Sequence, residues 1–419
     1  MEIITDLHLH SKYSRAVSSR MTIPQMAEWG RKKGIHLLAT GDWTHPLWLK
    51  ELKANLEEIG EGLYQAKDTN GPYFLLSTEV SSIYSQGGRL RKIHNLVLAP
   101  SFETVEKINA GLLRRGGNLM ADGRPVTGTS SRDLAALILG IDKNCLVIPA
   151  HIWTPHFSLF GSNSGFDSLQ ECFGEMSKYI YAIETGLSSS PNMNWRIKEL
   201  DSRSIVSFSD SHSPEKLGRE ATVFKVNSQK GFNYFDIKKA IKEQKIAYTI
   251  EFYPEEGKYH FTGHRNCGIR QSPEETKKLG AVCSVCGKKL TVGVMHRVEQ
   301  LAKRPVGFQP QNRPPYRMLV PLMEILSESL QTGISSQNLQ NEYNKLITTF
   351  ASEFEVLLRT KIEEIERLSG AKIAEGIKKV RQGDLVIEPG YDGVFGKVSI
   401  WPLPSKVSAK EGHKQMSLF

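Results

Sequence analysis

The chain has 419 residues and a net charge of +9, with 39% hydrophobic and 24% charged residues. At about 100 to 200 residues per domain, this length predicts two or three domains. The composition excludes collagen-like, mucin-like and wholly disordered proteins. No segment approaches the roughly 18 to 20 apolar residues that cross a bilayer, and the first ten residues lack the apolar core of a signal peptide, so we expect a cytoplasmic protein without membrane contact.

Strands that alternate with helices are predicted from residue 1 to about residue 250. The apolar segments that predict buried strands are EIITDLHLH, HLLATGD, YFLLSTEVSS, HNLVLAP, CLVIPAHI, YIYAIETG and SIVSFSDSH. Between the first two, PQMAEWGRKKG has Pro24 at its start and Gly34 after a basic last turn, which is typical of a helix. This alternation predicts an α/β sheet or barrel.

A His, Asp or Glu stands at the end of almost every predicted strand. These residues are His8, His10, Asp42, Glu79, His94, His151, Glu184, Asp210 and His212. Side chains repeat every two residues along a strand, so His8 and His10 face the same side, as do Asp210 and His212. A lone His at a strand end is more often structural, but two such pairs with further ligands at one sheet edge predict a multinuclear metal site.

The ligand types suggest both the metals and the chemistry. Mixed imidazole and carboxylate ligands suit Zn, Mn or Fe better than Mg or Ca. We expect two or three divalent ions, with Zn, Mn and Mg kept as candidates. Ions held close together by bridging carboxylates activate water and neutralise charge on a phosphate ester, so the site favours phosphoester hydrolysis.

The same residues carry a family resemblance. DLHLHS, YSRAVS, GDWTH, the isolated Glu79, His94, PAHIW and SDSH resemble, in order and spacing, the polymerase and histidinol phosphatase (PHP) superfamily. The resemblance implies a distorted seven-stranded βα barrel with three metals. It implies that the first metal and the catalytic centre involve His8, His10, Glu79 and Asp210.

For the other two metals, the resemblance implies Glu79, His94 and His151 at the second and His212 at the third. The superfamily often has a further His where this chain has Ala16. Asp42 is therefore the candidate replacement ligand, with His45 next.

A short basic span follows the predicted barrel. Residues 258–304 carry ten Lys or Arg and three Glu, which places +7 of the total +9 there. Such a span predicts contact with nucleic acid, because neutralised phosphates release counterions, although a solvated surface is the alternative. Within it, His264-x2-Cys267-x15-Cys283-x2-Cys286 has the spacing of a four-ligand structural zinc site, with His260 as an alternative to His264. Cys145 and Cys172 lie in apolar surroundings and are expected to be buried thiols.

The Pro-rich segment RPVGFQPQNRPPYR marks a boundary before a helical region. Residues 318–382 predict long amphipathic helices, for example YNKLITTFASEFEVLLRTKIEEIERL, and the strand-like DGVFGKVSIW follows. The chain ends in GHKQMSLF, which resembles the clamp-binding peptide of bacterial DNA repair and replication proteins through Gln415, Leu418 and Phe419. We therefore expect a sliding clamp as a partner and a bacterial, nucleoid-associated protein, although an unstructured end is the alternative.

Taken in order, these parts resemble the endonuclease Q family over nearly the whole chain. We expect a PHP-type barrel at 1–255, a Cys/His zinc-binding module at 256–305, a mainly helical domain at 306–400 and a flexible tail at 401–419. The resemblance implies cleavage of DNA on the 5′ side of uracil, hypoxanthine and abasic sites, with xanthine as a further candidate base, leaving a 3′-hydroxyl and a 5′-phosphate. The alternatives are a small-molecule phosphatase of the histidinol phosphatase type and a non-catalytic scaffold that binds DNA or the clamp.

Damaged DNA is thus the expected substrate, and reading a deaminated base requires taking it out of the stack. Aromatic residues in loops after the metal-bearing strands are candidates for the wall of a base pocket: Tyr84, Trp153, Phe157 and Phe160. In GGRLRK, Arg89, Arg91 and Lys92 are candidates for phosphate contacts, with an ordinary exposed hairpin turn as the alternative.

Overall fold

The computed structural model describes residues 1–67, 69–226 and 231–402. The first twelve strands are β1 (Glu2–Asp6), β2 (Leu37–Ala39), β3 (Leu56–Gly60), β4 (Leu63–Ala66), β5 (Tyr73–Gln86), β6 (Arg89–Ala99), β7 (Val126–Thr127), β8 (Leu146–Pro149), β9 (Ala182–Glu184), β10 (Ser204–Val206), β11 (Ala221–Lys225) and β12 (Ile246–Glu251). Five more follow: β13 (Thr262–His264), β14 (Ile269–Gln271), β15 (Tyr316–Met318), β16 (Val386–Glu388) and β17 (Lys397–Ser399).

Helices connect these strands and fill the last part of the chain. The first seven are α1 (Ile23–Lys33), α2 (Pro46–Asn55), α3 (Phe102–Arg114), α4 (Ser131–Ile141), α5 (Leu169–Phe173), α6 (Pro191–Asn194) and α7 (Tyr234–Lys242). The others are α8 (Pro273–Leu279), α9 (Val294–Leu301), α10 (Leu322–Leu330), α11 (Gln337–Thr349), α12 (Glu353–Leu358), α13 (Ile362–Ser369) and α14 (Ala371–Gln382). Among the described residues, none of these helices is long and apolar enough to cross a membrane.

All seven predicted strands form, as β1, β2, β5, β6, β8, β9 and β10. The main sheet runs in the order β15-β12-β11-β1-β2-β5-β4-β3, with β6 pairing both β5 and β8. Strands β1, β2 and β5 are parallel, so their carboxyl ends meet at one edge. The mixed α/β fold is thereby confirmed, while closure of this sheet into a barrel stays a prediction.

One strand runs against the expected direction. Strands β5 and β6 form a long antiparallel hairpin whose turn is Gly87–Gly88, and β6 is also antiparallel to β8. The beginning of β6 therefore lies beside the end of β5, with His94 opposite Ser81. His94 is the first residue of the predicted strand segment HNLVLAP. Because β6 is antiparallel to β5, His94 reaches the same sheet edge as the residues that follow the parallel strands.

The predicted helix over PQMAEWGRKKG is confirmed as α1, which ends at Gly34 in the left-handed conformation with φ of 82°. The expectation of long C-terminal helices needs correction. The segment YNKLITTFASEFEVLLRTKIEEIERL contains a break at Ala351, whose φ is 72°, and Ser352 caps a new helix by accepting a hydrogen bond from Glu355 N. Shorter helices α11, α12 and α13 result. In DGVFGKVSIW, the strand is confined to Lys397–Ser399.

The parts of the chain after residue 255 pack on one another and on the main sheet. Strand β15 pairs with β12, so the chain returns to the main sheet before the helical region begins. The turn between β16 and β17 packs on the Cys-containing region, where Asp392 accepts hydrogen bonds from Arg265 N and Thr291 Oγ1. The clamp-peptide residues Gln415, Leu418 and Phe419 lie outside the described residues.

Candidate metal centre

Two histidines enter the centre directly after β1, and each is held from behind by a carboxylate. His8 Nδ1 donates to Glu184 Oε1 at 2.9 Å, and His10 Nδ1 donates to Asp42 Oδ1 at 2.9 Å. Both Nε2 atoms consequently face Asp210 Oδ1, at 3.7 Å from His8 and 3.1 Å from His10. A histidine whose Nδ1–H is bound to a carboxylate presents Nε2 to a metal ion, which would take the place of a proton on that nitrogen.

Glu79 lies at the middle of the centre and joins these residues to a second group. Its Oε1 is 2.7 Å from His94 Nδ1 and 3.1 Å from His151 Nε2. Its Oε2 is 3.4 Å from His10 Nε2. Oε1 is also 3.7 Å from His8 Nε2, so the Glu79 carboxylate lies within reach of both groups of imidazoles.

Backbone strain accompanies the site. Asp42, His151 and Asp210 have positive φ values of 49°, 31° and 47°, a region that non-glycine residues seldom adopt. A Cβ at Gly186 would collide with the His151 side chain, and one at Gly123 would collide with the Asp42 carboxylate. Small residues thus let these loops approach each other closely enough to bring the ligands together.

The charged groups of the centre shift one another's pKa values. Burial lowers the pKa of His8, but the Glu184 and Asp210 carboxylates outweigh it and raise that pKa to about 9. Burial lowers the pKa of His94 to about 4, only partly offset by Glu79. Burial raises the pKa of the Glu79 carboxyl, but His94 and Arg124 hold it well below its usual range. The carboxylates therefore attract positive charge, which is the electrostatic condition for binding cations.

Several buried polar atoms of the centre have no hydrogen-bond partner among the described residues, and they lie close together. Among the described residues, His8 Nε2, His10 Nε2 and Asp210 Oδ1 are buried without a hydrogen bond. Ligand atoms of His8, His10 and Asp210 lie within 4.8 Å of one another, as do those of Glu79, His94 and His151. Because unsatisfied buried polar atoms are unfavourable, this donor set fits at least two divalent ions that are bound by nitrogen and oxygen.

The residues expected at a third metal are placed differently. His212 lies near the first group, with its ring 4.8 Å from that of His10 and its Nδ1 2.7 Å from the Asp210 carbonyl oxygen. Asp42 is occupied on both oxygens, because Oδ2 accepts hydrogen bonds from Ser11 and Ser14 while Oδ1 accepts from His10. This arrangement favours a role for Asp42 in orienting His10. His45 stacks on Tyr13 and belongs to neither group of ligand atoms among the described residues.

Sequence reasoning missed Arg124 and gave Glu184 no role. Arg124, on the loop after α3, has its Nη1 3.0 Å from Glu79 Oε2, and no spacing pattern could single it out. Glu184 ends strand β9, and its Oε2 accepts the His151 amide at 2.8 Å. Its signal was its position at a strand end, beside the residues that were chosen as ligands.

A second donor group lies in the basic span. His264, Cys267, Cys283 and Cys286 have ligand atoms within 4.8 Å of one another. Burial raises the pKa of the Cys283 thiol, but the amides of Cys286 and Val285 outweigh it and lower that pKa to about 6. His260 lies outside this group and is buried. Cys145 and Cys172 are buried, as the sequence predicted.

A cleft of ≈ 350 Å³ opens from the metal centre toward the basic span. His94, His151 and Asp210 form its floor, and Phe157, Leu187 and Pro254 contribute apolar walls. His260 also lines it, and the buried His260 Nδ1 has no partner among the described residues. Phe395, which sequence reasoning missed, stands at the cleft with 73% of its surface exposed.

Of the four aromatic residues that are candidates for the base pocket, one lines the cleft and three do not. Phe157 lines the cleft, but Trp153 and Phe160 are completely buried and present no face to a ligand. Trp153 Nε1 instead donates to Asn194 Oδ1 at 2.8 Å. Tyr84 lies in a separate shallow depression beside Ser130.

The three basic residues of the hairpin are also placed. Arg89 is exposed, whereas Arg91 stacks over Phe166 at 4.1 Å and Lys92 over Phe157 at 5.1 Å. Lys92 is thus next to the cleft, and Arg91 holds the loop that forms one of its walls.

An α/β sheet with a His- and carboxylate-rich centre at the carboxyl edge of its strands is the arrangement of a metal-dependent phosphoesterase. Comparison with known proteins narrows this class. The lesion-specific endonuclease PfuEndoQ from Pyrococcus furiosus superimposes with a TM-score of 0.84 and 33% identity over 95% of each chain. Endonuclease Q in complex with a 27-mer duplex that carries an abasic lesion at the active site gives 0.83 and 33%, over 95% of this chain and 96% of that one.

Sequence comparison agrees. YqxK of Bacillus subtilis is 30% identical over 413 residues, which cover 95% of this chain and 99% of that protein. MJ0043 of Methanocaldococcus jannaschii is 36% identical over 254 residues, and the match spans only 31% of its length. Residues 321–384 match the family model of the MJ0043 C-terminal domain. The chain belongs to the endonuclease Q family, which confirms the resemblance found in the sequence.

Proposed function

We propose that the protein is a metal-dependent DNA repair endonuclease. It hydrolyses the phosphodiester 5′ to uracil, hypoxanthine and abasic sites, with xanthine as a further candidate base, and leaves a 3′-hydroxyl and a 5′-phosphate. The observation that carries this proposal is the set of buried ligand atoms of His8, His10 and Asp210, which have no hydrogen-bond partner among the described residues, with Asp210 at the floor of an open cleft. The similarity to PfuEndoQ over 95% of both chains supports it.

In this proposal, His8, His10, Glu79 and Asp210 hold one ion, and Glu79, His94 and His151 hold a second. Zn, Mn and Mg are the candidate ions. His212 is assigned to a third site, whereas Asp42, the ligand that the sequence favoured there, is assigned to orienting His10. Bound divalent ions lower the pKa of water and neutralise charge that develops on the phosphate. The chain's own contribution is to fix the imidazoles through Glu184 and Asp42 and to exclude bulk water through buried walls.

Arg124 is the proposed phosphate contact within the centre. Its guanidinium is 3.0 Å from Glu79 Oε2, and about a quarter of its side chain is exposed. Arginine binds phosphate oxygens in a bidentate manner. We assign it to a non-bridging oxygen of the scissile phosphate, where it stabilises the negative charge of the transition state.

The cleft is the proposed pocket for the extruded base. Extrusion costs a few kcal/mol, and least for a mispaired or missing base. Phe157 and Leu187 offer apolar surface to a base, and His260 Nδ1 can exchange a hydrogen bond with its edge. The removal of an exocyclic amine by deamination changes the donor pattern at that edge, so a single fixed nitrogen can contribute to discrimination.

Phe395 is the proposed occupant of the gap that the extruded base leaves. It projects from the turn between β16 and β17, where Gly393 N donates to Lys258 O. A phenyl ring exposed to 73% is unfavourable in water and favourable when stacked between bases. Tyr84 and Trp153 keep no role in this pocket, because they lie outside the cleft.

The basic span is proposed to hold the DNA backbone against the centre. His264, Cys267, Cys283 and Cys286 leave no open coordination position on a tetrahedral ion, so we assign them to a structural zinc. Lys258, at the cleft, and Arg89 and Lys92 on the β5–β6 hairpin are assigned to phosphates. Arg91 keeps the cleft wall in place through Phe166.

The proposed domains are a PHP-type barrel at 1–255, a zinc-binding module at 256–305 and a helical domain at 306–400.

The tail at 401–419 is proposed to bind a sliding clamp through Gln415, Leu418 and Phe419. A pull-down with a purified bacterial clamp tests this partner. Phe419→Ala should abolish capture while Lys414→Ala retains it, and capture that survives Phe419→Ala would disprove the assignment.

A denaturing gel of an end-labelled duplex with one deoxyuridine or deoxyinosine tests the activity, with Mn, Mg or Zn supplied. We expect a single metal-dependent cut 5′ to the lesion by the wild-type protein. Asp210→Ala should abolish it, and Glu57→Gln, on the exposed strand β3, should retain it. Intact DNA in every lane beside rapid hydrolysis of a small phosphomonoester would replace the endonuclease by a phosphatase.

A further inference from the structure

A second cavity lies at the end of the strands opposite to the metal centre. It has a volume of ≈ 610 Å³ between α4, the segment before β9 and α7. Asn144 precedes β8 and Tyr181 precedes β9, whereas His151 and Glu184, at the other ends of these strands, belong to the metal centre. A ligand in this cavity would therefore be separated from the metals by the sheet itself.

Among the residues that the structure describes, three lysines and no carboxylate line the cavity. These lysines are Lys143, Lys238 and Lys242. Among the described residues, none of them has an Asp or Glu oxygen within salt-bridge distance. The nearby carboxylate of Asp142 is occupied, since it accepts hydrogen bonds from Thr104 Oγ1 and Asn144 N.

Lys238 is the most buried of the three lysines, whereas Lys143 and Lys242 are exposed. It is half-buried, and its Nζ donates to two neutral acceptors, Lys143 O at 3.1 Å and Asn144 Oδ1 at 2.9 Å. Burial lowers the pKa of Lys238, although the nearby Asp142 partly offsets this. Three ammonium groups around one cavity repel each other, so an anion placed among them is stabilised by all three.

The rest of the lining is apolar or aromatic. Leu139 and Met176 contribute aliphatic surface, and Tyr179 and Tyr181 contribute rings. Lys242 Nζ lies 5.1 Å from the centroid of the Tyr181 ring, so charge and ring surface are adjacent. A ligand that uses both features carries a planar ring at one end and a phosphate at the other.

The geometry points to a non-catalytic binding site for a nucleoside monophosphate, with the phosphate bound by Lys238, Lys242 and Lys143 and the base against Tyr179 and Tyr181. No group transfer is involved. The site is independent of the proposed nuclease activity, because its residues lie at the opposite ends of β8 and β9 from the metal ligands.

Equilibrium dialysis with labelled deoxyadenosine monophosphate tests this site in the full chain. We expect binding by the wild type and at least a tenfold loss in the double variant Lys238→Met/Lys242→Met. Lys239→Met is the matched control: Lys239 is exposed on the same helix but outside the cavity lining, so affinity should stay within twofold. Lys143→Met, an exposed position in the lining, should weaken binding and serves if the double variant does not fold.

Two further arms separate the alternatives. Asp210→Asn should leave the affinity unchanged, and its loss there would place the nucleotide at the metal centre and overturn the proposal. Inorganic phosphate should bind at least tenfold more weakly than the nucleotide, and Tyr181→Leu should remove most of this difference. Equal affinity for phosphate and nucleotide in the wild type would overturn the base contact, and wild-type affinity in the double variant would overturn the site.

Discussion

Glu184 holds the imidazole of His8 from behind the metal centre, with its Oε1 2.9 Å from His8 Nδ1. Its other oxygen accepts the His151 amide at 2.8 Å. One completely buried carboxylate thus ties together a residue after β1 and a residue after β8. The orientation of His8 and the strained backbone of His151 both depend on Glu184.

Glu184→Gln should weaken metal binding at the centre. The amide preserves the size of the side chain but removes the charge that makes the His8 imidazole basic, and such outer partners contribute roughly 10- to 100-fold to metal affinity. Titration of the demetallated protein with Mn, followed by metal analysis, measures the effect. Glu57→Gln, an exposed carboxylate on β3, should bind like the wild type. Unchanged affinity in Glu184→Gln would show that His8 is oriented by its own strand.

The sequence predicted most of this centre because its ligands follow short apolar strands, and the period of two places His8 and His10 together. His94 was predicted from its place at a strand end and from the family resemblance, but the direction of its strand was not predicted. Strand β6 is antiparallel, so His94 reaches the centre from near the beginning of its strand. Hydrophobic patterning does not distinguish parallel from antiparallel pairing.

The positions of Arg124 and Trp153 could not be predicted from the sequence. Arg124 meets Glu79 through a loop that follows α3, and such a contact between residues 45 positions apart has no local signature. Trp153 follows a metal-bearing strand as a pocket residue would, yet it is completely buried. Whether a loop aromatic residue faces a cleft or the core depends on tertiary packing, which composition does not record.

Cys283→Ser should release one structural metal ion per chain. The serine hydroxyl is a poor ligand for zinc, and three remaining ligands do not close a tetrahedral site. Metal analysis after dialysis should show the loss, and the β13–β14 region should become more sensitive to protease because metal binding and local folding are coupled. Cys145→Ala, at a buried thiol far from this group, should retain the ion. Full metal content in Cys283→Ser would exclude the proposed ligand set.

Glu251 should make the protein less stable as the pH rises. Burial raises its folded-state pKa to about 8, and it faces the buried Glu220 as well as Ser207 and Thr249, which donate to its Oε1. The unfolded carboxyl titrates near 4.5, so the folded state alone retains the proton between about pH 4.5 and 8. Its stabilising contribution is therefore complete below pH 4.5 and declines as the pH rises to 8.

Glu251→Gln tests this dependence, because the amide stays neutral at every pH. The melting temperature of the variant relative to that of the wild type should increase between pH 5 and pH 9, measured by differential scanning fluorimetry. Glu57→Gln provides the reference for an exposed carboxylate. A melting difference that stays constant across this pH range would mean that Glu251 does not retain its proton in the folded state.

A buried ion pair fastens the helical region to the α/β fold. Lys33 Nζ on α1 lies 2.7 Å from Glu353 Oε2 on α12, and both side chains are 3% exposed. Glu353 also accepts hydrogen bonds from Tyr343 OH and Leu322 N. Glu353→Gln leaves a buried ammonium without its counter-charge and should lower the free energy of unfolding by about 3 to 5 kcal/mol, measured by urea denaturation. Adding Lys33→Met should restore much of this loss, since the variant then contains no unpaired charge.

Lys32→Met is the control for this ion pair. Lys32 is at the neighbouring and more exposed position and pairs with Glu28, so the change should alter the free energy of unfolding by no more than about 0.5 kcal/mol. Equal losses in the single and double variants would show that hydrogen bonds to Glu353, rather than its charge, join the two parts.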